Sequence, residues 1–221
     1  MIDLHTHTIF SDGELIPSEL VRRAESIGYK AIGITDHADF SNFQFIIENL
    51  LKTADILTKN TNTIVIPGVE ITHVPPNKIP YLIEKCREEG ARIVVVHGET
   101  VVEPVAKGTN LAAIEGRADI LAHPGLIKPE TLKKAAKSKV FIEITARKGH
   151  NITNGHVVKE GRKAGVKFVI NTDAHSPGDL MSAEFAKTVG IGAGLTENEI
   201  AQAFKNSLEI VRRSSGEKTT L

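Results

Sequence analysis

The sequence predicts a parallel α/β protein closed into a barrel. Three observations lead there. Short aliphatic or β-branched runs alternate with longer stretches of helical spacing, the runs are apolar nearly throughout, and each is followed by an ionisable residue. The first two features describe strands buried on both faces of a parallel sheet, with helices as crossovers. The third separates a barrel from an open sheet. An open sheet gathers only the strand ends near its switch point, whereas a barrel brings every C-terminal strand end to one face, where active sites are built.

The expected strands are 2–5, 31–35, 64–69, 92–96, 120–122, 140–145 and 167–171. Between them, a helix is expected over 17–27, stopped by Gly28, a residue free to take the left-handed conformation that ends helices. A second has apolar residues at helical intervals over 43–57, and a third runs over 77–89 to Gly90. The helix over 129–137 opens with Pro129, tolerated in a first turn, and that over 155–164 ends at Gly165. Thr196-Glu197-Asn198-Glu199 forms a capping box before a helix over 200–210. Seven strand–helix units result, with no Pro-, Gly- or Ser-rich linker to divide them. Residues 1–213 therefore read as one barrel domain and 214–221 as a polar C-terminal tail.

Composition narrows the function. At 221 residues, 41% apolar and 24% charged, the chain is globular. Lys plus Arg and Asp plus Glu are both 27, so the basic excess of a broad nucleic-acid-binding face is missing. Aromatic residues make up 5%, with no Trp, which disfavours base-stacking platforms. Cys86 is the only cysteine, so neither an intrachain disulfide nor a cysteine zinc knot is available; mid-helix, it reads as an inert thiol. There is no basic-then-apolar leader and no apolar run near the ~20 residues that span a bilayer, so the expectation is a cytoplasmic protein without a membrane partner.

The residues after the runs carry the chemistry. His5, His7 and Asp12 follow the first, Asp36 and His37 the second, and Glu70 the third; His97 follows the fourth and His123 the fifth. The sixth carries Glu143 and ends near Arg147 and Lys148, and the seventh is followed by Asp173 and His175. Imidazoles with carboxylates suit Zn, Mn or Fe, and a set without cysteine does not favour structural zinc. The nine candidate ligands are His5, His7, Asp12, His37, Glu70, His97, His123, Asp173 and His175. A single catalytic ion needs about three protein ligands, so nine imply two or three ions, with a carboxylate such as Glu70 bridging. Period-2 alternation aims His5 and His7 to one side of an extended strand, and Asp173 and His175 likewise. Asp36, beside His37, is expected to accept a hydrogen bond from a ligand imidazole and so fix its tautomer.

Taken in order, His5-Thr6-His7-Thr8, Ser11-Asp12-Gly13, Thr35-Asp36-His37, Pro67-Gly68-Val69-Glu70, His97, Ala122-His123-Pro124 and Thr172-Asp173-Ala174-His175 resemble the polymerase-and-histidinol-phosphatase (PHP) superfamily. The resemblance implies a distorted TIM-like barrel of seven βα units and a trinuclear metal centre that hydrolyses phosphate esters. Carried over by position, it implies one ion held by His5, His7, Glu70 and Asp173, and a second by Glu70, His97 and His123. A third is implied at His37 and His175, with Asp12 standing where other members have histidine. A harder ligand there makes Mn or Fe as suitable as Zn.

The expected activity is attack of a metal-generated hydroxide on the phosphorus of a small-molecule phosphomonoester, with Glu70, Asp173 and His175 central to catalysis. Arg147 as a planar fork, Lys148 as a point charge and His150 are expected to bind substrate, with backbone N–H groups near Asn154 and Gly155 as a further anion contact. His156 is a second candidate for substrate contact, His73 for the cavity lining or the surface, and Glu143 for a place near a metal or a substrate amine. Histidinol phosphate is one candidate substrate, because 143–151 resembles archaeal histidinol-phosphatase-like members. Two alternatives stand beside this reading: a nuclease or phosphodiesterase acting on nucleotides or short oligonucleotides, and a noncatalytic barrel subunit like those of RNase P. No stable nucleic-acid partner is expected, and the oligomeric state is left open.

Overall fold

The computed structural model describes residues 1–215. Seven parallel strands form a nearly closed barrel in the order β1 (Ile2–Asp3), β2 (Ala31–Ile34), β4 (Ile64–Ile71), β5 (Ile93–His97), β6 (Ile120–Ala122), β7 (Phe141–Thr145) and β8 (Phe168–Asn171). A two-residue segment, β3 (His37–Ala38), pairs only with β4, so that His37 lies beside Glu70. Helices α1 (Pro17–Ser26), α2 (Phe43–Asn60), α3 (Ile79–Glu88), α4 (Thr109–Glu115), α5 (Pro129–Ser138), α6 (Asn154–Ala164) and α7 (Ala183–Gly192) surround the barrel, and α8 (Glu197–Ser215) is the last element among the described residues.

The seam between β1 and β8 closes differently from the other joints. Beyond these strands one isolated backbone bridge pairs Thr6 with Ala174, and side chains add to the backbone bonds there. Buried Asp3 accepts from the Thr172 hydroxyl (2.6 Å) and N–H (3.3 Å), while the Leu4 N–H donates to the Asn171 carboxamide (3.0 Å). Such bonds satisfy buried backbone groups that a ladder would otherwise pair. The first strand is accordingly shorter than expected: the Leu4 N–H goes to a side chain, and beyond it the pairing is limited to the His5 carbonyl accepting from the Asp173 N–H (3.0 Å) and the His7 N–H donating to the Ala174 carbonyl (2.8 Å).

Strand alternation divides the apolar residues into two cores. Val94, Val96, Leu121, Ile142, Ile144 and Ile170 point outward under the helices. Leu4, Ile66, Ile93, Val95, Phe141 and Val169 point into the barrel, where Ile210 and Val211 of α8 pack against them. Upward along the same inward register, the side chains become Glu70, His97, Glu143 and Asn171. The barrel interior is therefore apolar below and ionisable above.

Two helices were not expected. α4 has only seven residues, and α7 contains Gly190, where an added Cβ would press on Ile200. The first helix ends at Ser26, with Gly28 in the left-handed conformation (φ 88°). The capping box is formed, with the Thr196 N–H donating to the Glu199 carboxylate (2.8 Å) and the Glu199 N–H to the Thr196 hydroxyl (3.3 Å). α8 runs to Ser215, past the expected start of the tail at 214; residues 216–221 lie outside the described residues. Among the described residues no helix is long and apolar enough to cross a membrane.

Candidate metal centre

The nine expected ligands converge at the C-terminal strand ends in four overlapping groups. His5, His123 and Asp173 form one; His5, His7 and Glu70 a second; Glu70, His97 and His123 a third; and His7, Asp12, His37 and His175 a fourth at the mouth. Glu70 is central. One of its oxygens lies 3.3 Å from His5 Nε2 and 3.5 Å from His123 Nε2; the other lies 3.6 Å from His7 Nε2 and 2.8 Å from His37 Nδ1. Asp173 lies 3.2 Å from His7 Nε2 and 3.4 Å from His123 Nε2. Asp12, with its side chain 58% exposed, faces His175 (3.2 Å) and His37 (3.5 Å).

The backbone is bent to present these groups. His123 and Asp173 hold positive φ angles of 24° and 56°, a strain of order 1–3 kcal/mol that persists only where the surroundings enforce it. Gly98 follows His97, and a Cβ there would collide with the Ala122 carbonyl. Glycine thus lets the ends of β5 and β6 approach, so that the His97 and His123 rings lie 4.5 Å apart.

Hydrogen bonds around the cluster fix ring orientations. Glu143 lies 2.8 Å from His5 Nδ1 and accepts from the Asn171 amide (2.9 Å) and the His123 N–H (3.2 Å). It therefore leaves His5 Nε2 to face Glu70 and Asp173. Asp36 does not take the expected bond from an imidazole. It accepts from the Thr8 N–H (2.7 Å), the Thr8 hydroxyl (2.8 Å) and the Ser11 hydroxyl (2.8 Å), and so pins the loop that carries His7 and Asp12. Orientation of a ligand tautomer falls to Glu143, whose inward place in register with Phe141 was a readable signal.

The electrostatics favour cations. Burial alone would raise Glu70, but His5, His37 and His97 hold it well below the usual carboxylate range. Burial is likewise overcome at Asp173, chiefly by His5, with the His123 and His7 rings close by. His5 is pushed well above the ordinary imidazole value: burial opposes this, and Glu143, Glu70 and Asp173 prevail. His37 rises to about 9 because Glu70 and Asp12 outweigh burial, whereas burial takes His7 down to about 3. Among the described residues, six deeply buried polar atoms have no hydrogen-bond partner: His5 Nε2, His7 Nε2, both Glu70 oxygens, His123 Nδ1 and Asp173 Oδ1. Such orphaned atoms are costly alone, and all six lie on residues that group with metal-ligand geometry. Buried ionised carboxylates surrounded by imidazole nitrogens form a donor set that fits divalent metal ions.

The other expected residues are placed as follows. His150 is buried, with its ring 4.3 Å from that of His123 and its Nδ1 2.9 Å from the Thr100 hydroxyl. Arg147 is half-buried and pairs with Asp179 (3.2 Å), which also accepts the His175 N–H (3.0 Å); Lys148 is exposed. A short 3₁₀ turn (His150–Thr153) leads into α6, where the Asn154 amide donates to the Thr145 carbonyl (2.8 Å). His156 makes a structural contact, its Nε2 lying 2.9 Å from the Ile127 carbonyl. Cys86 is buried in the core, which pushes its thiol up to about 12. Glu103, on the loop 98–108, escaped the sequence reading. Its oxygens lie 3.2 Å from His97 Nε2, 3.4 Å from His73 Nε2 and 3.3 Å from His150 Nε2, and the bond from His97 holds its carboxyl down to about 2. No periodicity marks a loop carboxylate, so nothing in the sequence signalled it.

Comparisons agree with this architecture. The PHP domain family model matches residues 3–171. An uncharacterized protein of Methanocaldococcus jannaschii is 56% identical over 200 residues, covering 90% of this chain and 92% of its own. Among solved structures, a chain of archaeal ribonuclease P with mature tRNA superposes with a TM-score of 0.76 at 16% identity, covering 100% of this chain and 94% of that one. The histidinol phosphate phosphatase of Lactococcus lactis, solved with zinc, L-histidinol and phosphate, gives 0.59 at 17% identity, covering 88% and 94%. At these identities the two structures establish the shared fold.

Proposed function

The chain belongs to the PHP domain family, and on that premise we propose that it is a metal-dependent phosphoesterase hydrolysing a small-molecule phosphomonoester. The observation that carries this reading is the set of orphaned buried atoms on His5, His7, Glu70, His123 and Asp173, a donor arrangement with no use in a purely structural core. We assign two to three divalent ions, Zn, Mn or Fe, to these residues together with His97, His37, His175 and Asp12. Bound there, such ions supply Lewis-acid polarisation of a phosphoryl oxygen and an acidified water.

The protein's own groups do the positioning. Glu143 holds the His5 ring, and Asp36 holds the loop bearing His7 and Asp12. Arg147, fixed at the rim by Asp179, offers the planar fork that matches a phosphoryl group, and Lys148 adds mobile positive charge. We assign contact with the rest of the substrate to His150, whose ring packs on that of His123, and the Lactococcus lactis likeness makes histidinol phosphate a candidate.

A second reading, a noncatalytic barrel subunit, is favoured by the TM-score of 0.76 to the ribonuclease P chain. The full donor set and the neutral overall charge weigh against it. Phosphate release over a metabolite panel, run beside a chromogenic monoester, a diester and a labelled single strand, separates these readings. The proposal expects fastest turnover of a monoester, abolished by a chelator. Preferred cleavage of the strand supports a nuclease, and metal-loaded protein inert to every substrate supports the noncatalytic reading.

A further inference from the structure

The opposite end of the barrel holds a second polar site. Arg87 at the end of α3, Arg117 before β6, Lys137 and Lys139 before β7, and Arg213 near the end of α8 line a cleft of about 520 Å³ around one carboxylate, Asp119. That volume falls within the usual range for ligand pockets, roughly 300–1,000 Å³. In a chain of zero net charge, five cations against one anion is a local concentration.

Asp119 is already used. Its oxygens accept from the Val94 N–H (2.9 Å) and Arg87 (3.4 Å) and lie 4.0 Å from Arg213. Arg87 also donates to the Arg117 carbonyl (2.7 Å), the task expected of a cation near a helix C-terminus. Arg117, Lys137 and Lys139 form no ion pair among the described residues and are exposed. Like charges held together without an anion repel one another.

Two helix ends place long cations at the same cleft. Among the described residues, the non-glycine residues with positive φ are His73, Arg117, His123, Lys139 and Asp173. His123 and Asp173 belong to the metal centre, and His73 faces Glu103 at its rim. The remaining two, Arg117 (φ 58°) and Lys139 (φ 64°), both line this cleft. Both are left-handed residues that close helices, Arg117 just after α4 and Lys139 at the end of α5, and where glycine is the default these ends carry long cationic side chains into the cleft.

We propose that this cleft is a binding site for a compact oligophosphate anion, distinct from the metal centre. None of its lining residues is aromatic, so recognition is through charge and guanidinium forks with no ring to stack on a base. The inference is independent of the reaction proposed above.

Titration of the full-length, metal-loaded protein with sodium tripolyphosphate tests it, with metal content measured before and after to exclude stripping of the centre. Saturable binding is expected, weakened at least tenfold by Arg117→Glu with Lys139→Glu and less by the milder Arg117→Gln with Lys139→Gln, with phosphomonoesterase turnover unchanged in both pairs. An isotherm unaltered in the charge-reversed pair would assign the binding to the metal centre and overturn the proposal, as would absence of saturable binding. Tighter binding of a single-stranded oligoribonucleotide through the same two residues would also overturn it, by replacing a compact anion with a polymer backbone.

Discussion

The lower and upper layers of the barrel share strands, register and burial, yet differ in what satisfies them. Below, Leu4, Ile66, Val95, Phe141, Val169 and Ile210 are complete in one another's contact. Above, His5, His7, Glu70, His123 and Asp173 are as deeply buried but leave polar atoms without partners. One scaffold thus carries a layer that stabilises the fold and a layer whose donors are arranged for cations. The contrast predicts that mutations above impair metal binding and turnover with the fold kept, and that mutations below impair the fold.

The largest expected effects test that division directly. Asp173→Ala and His123→Ala should each lose metal and reduce turnover on the order of a thousandfold or more, with an unchanged circular dichroism spectrum. Parental turnover in either would remove that residue from the centre. In the lower layer, Phe141→Ala should cost about 3–5 kcal/mol in denaturant unfolding, while the folded fraction still binds metal at the parental stoichiometry. Loss of metal from the folded fraction would show that the two layers are not separable.

A smaller effect is expected where the layers are joined. Glu143→Gln keeps shape but removes the charge that orients His5 and accepts the His123 N–H, and should lower metal affinity roughly 10–100-fold. Unaltered affinity would reduce Glu143 to a spacer.

The smallest effect is electrostatic. In metal-free protein, His5 and His37 sit above the ordinary imidazole value of about 6.5, so their protonated forms stabilise the fold fully below that pH. For His37 this stabilisation is lost as pH rises toward about 9, while His7, near 3, stays neutral throughout that window. The Tm of stripped protein should therefore fall between pH 6.5 and 9. Metal-loaded protein, whose ligand imidazoles bind without their protons, should show a flatter profile. Parallel profiles would mean that these imidazoles do not exchange protons for metal.

The same division explains what the sequence revealed. Strands buried on both faces leave unbroken apolar runs, so all seven main strands were legible, and 120–122 matched to the residue. Their C-terminal residues had to converge once the sheet closed, so His5, Glu70, His123 and Asp173 could be grouped from order alone. Features set by the tertiary path were not legible. The Asp3 and Asn171 seam shortens β1 through contacts 167 and 169 residues apart in sequence. Asp36 reaches Thr8 and Ser11 across a loop, and Glu103 reaches three imidazoles from a segment without periodicity. α4 is too short and α7 too rich in glycine to show a helical stripe.

The central claim is that the orphaned nitrogens and oxygens of the upper layer are metal ligands. Elemental analysis of the purified protein after dialysis addresses it most directly. The account predicts about two to three tightly held Zn, Mn or Fe ions per chain, reduced when Glu70 is replaced by alanine. A folded protein that emerges from dialysis in added metal with no ion bound would contradict it.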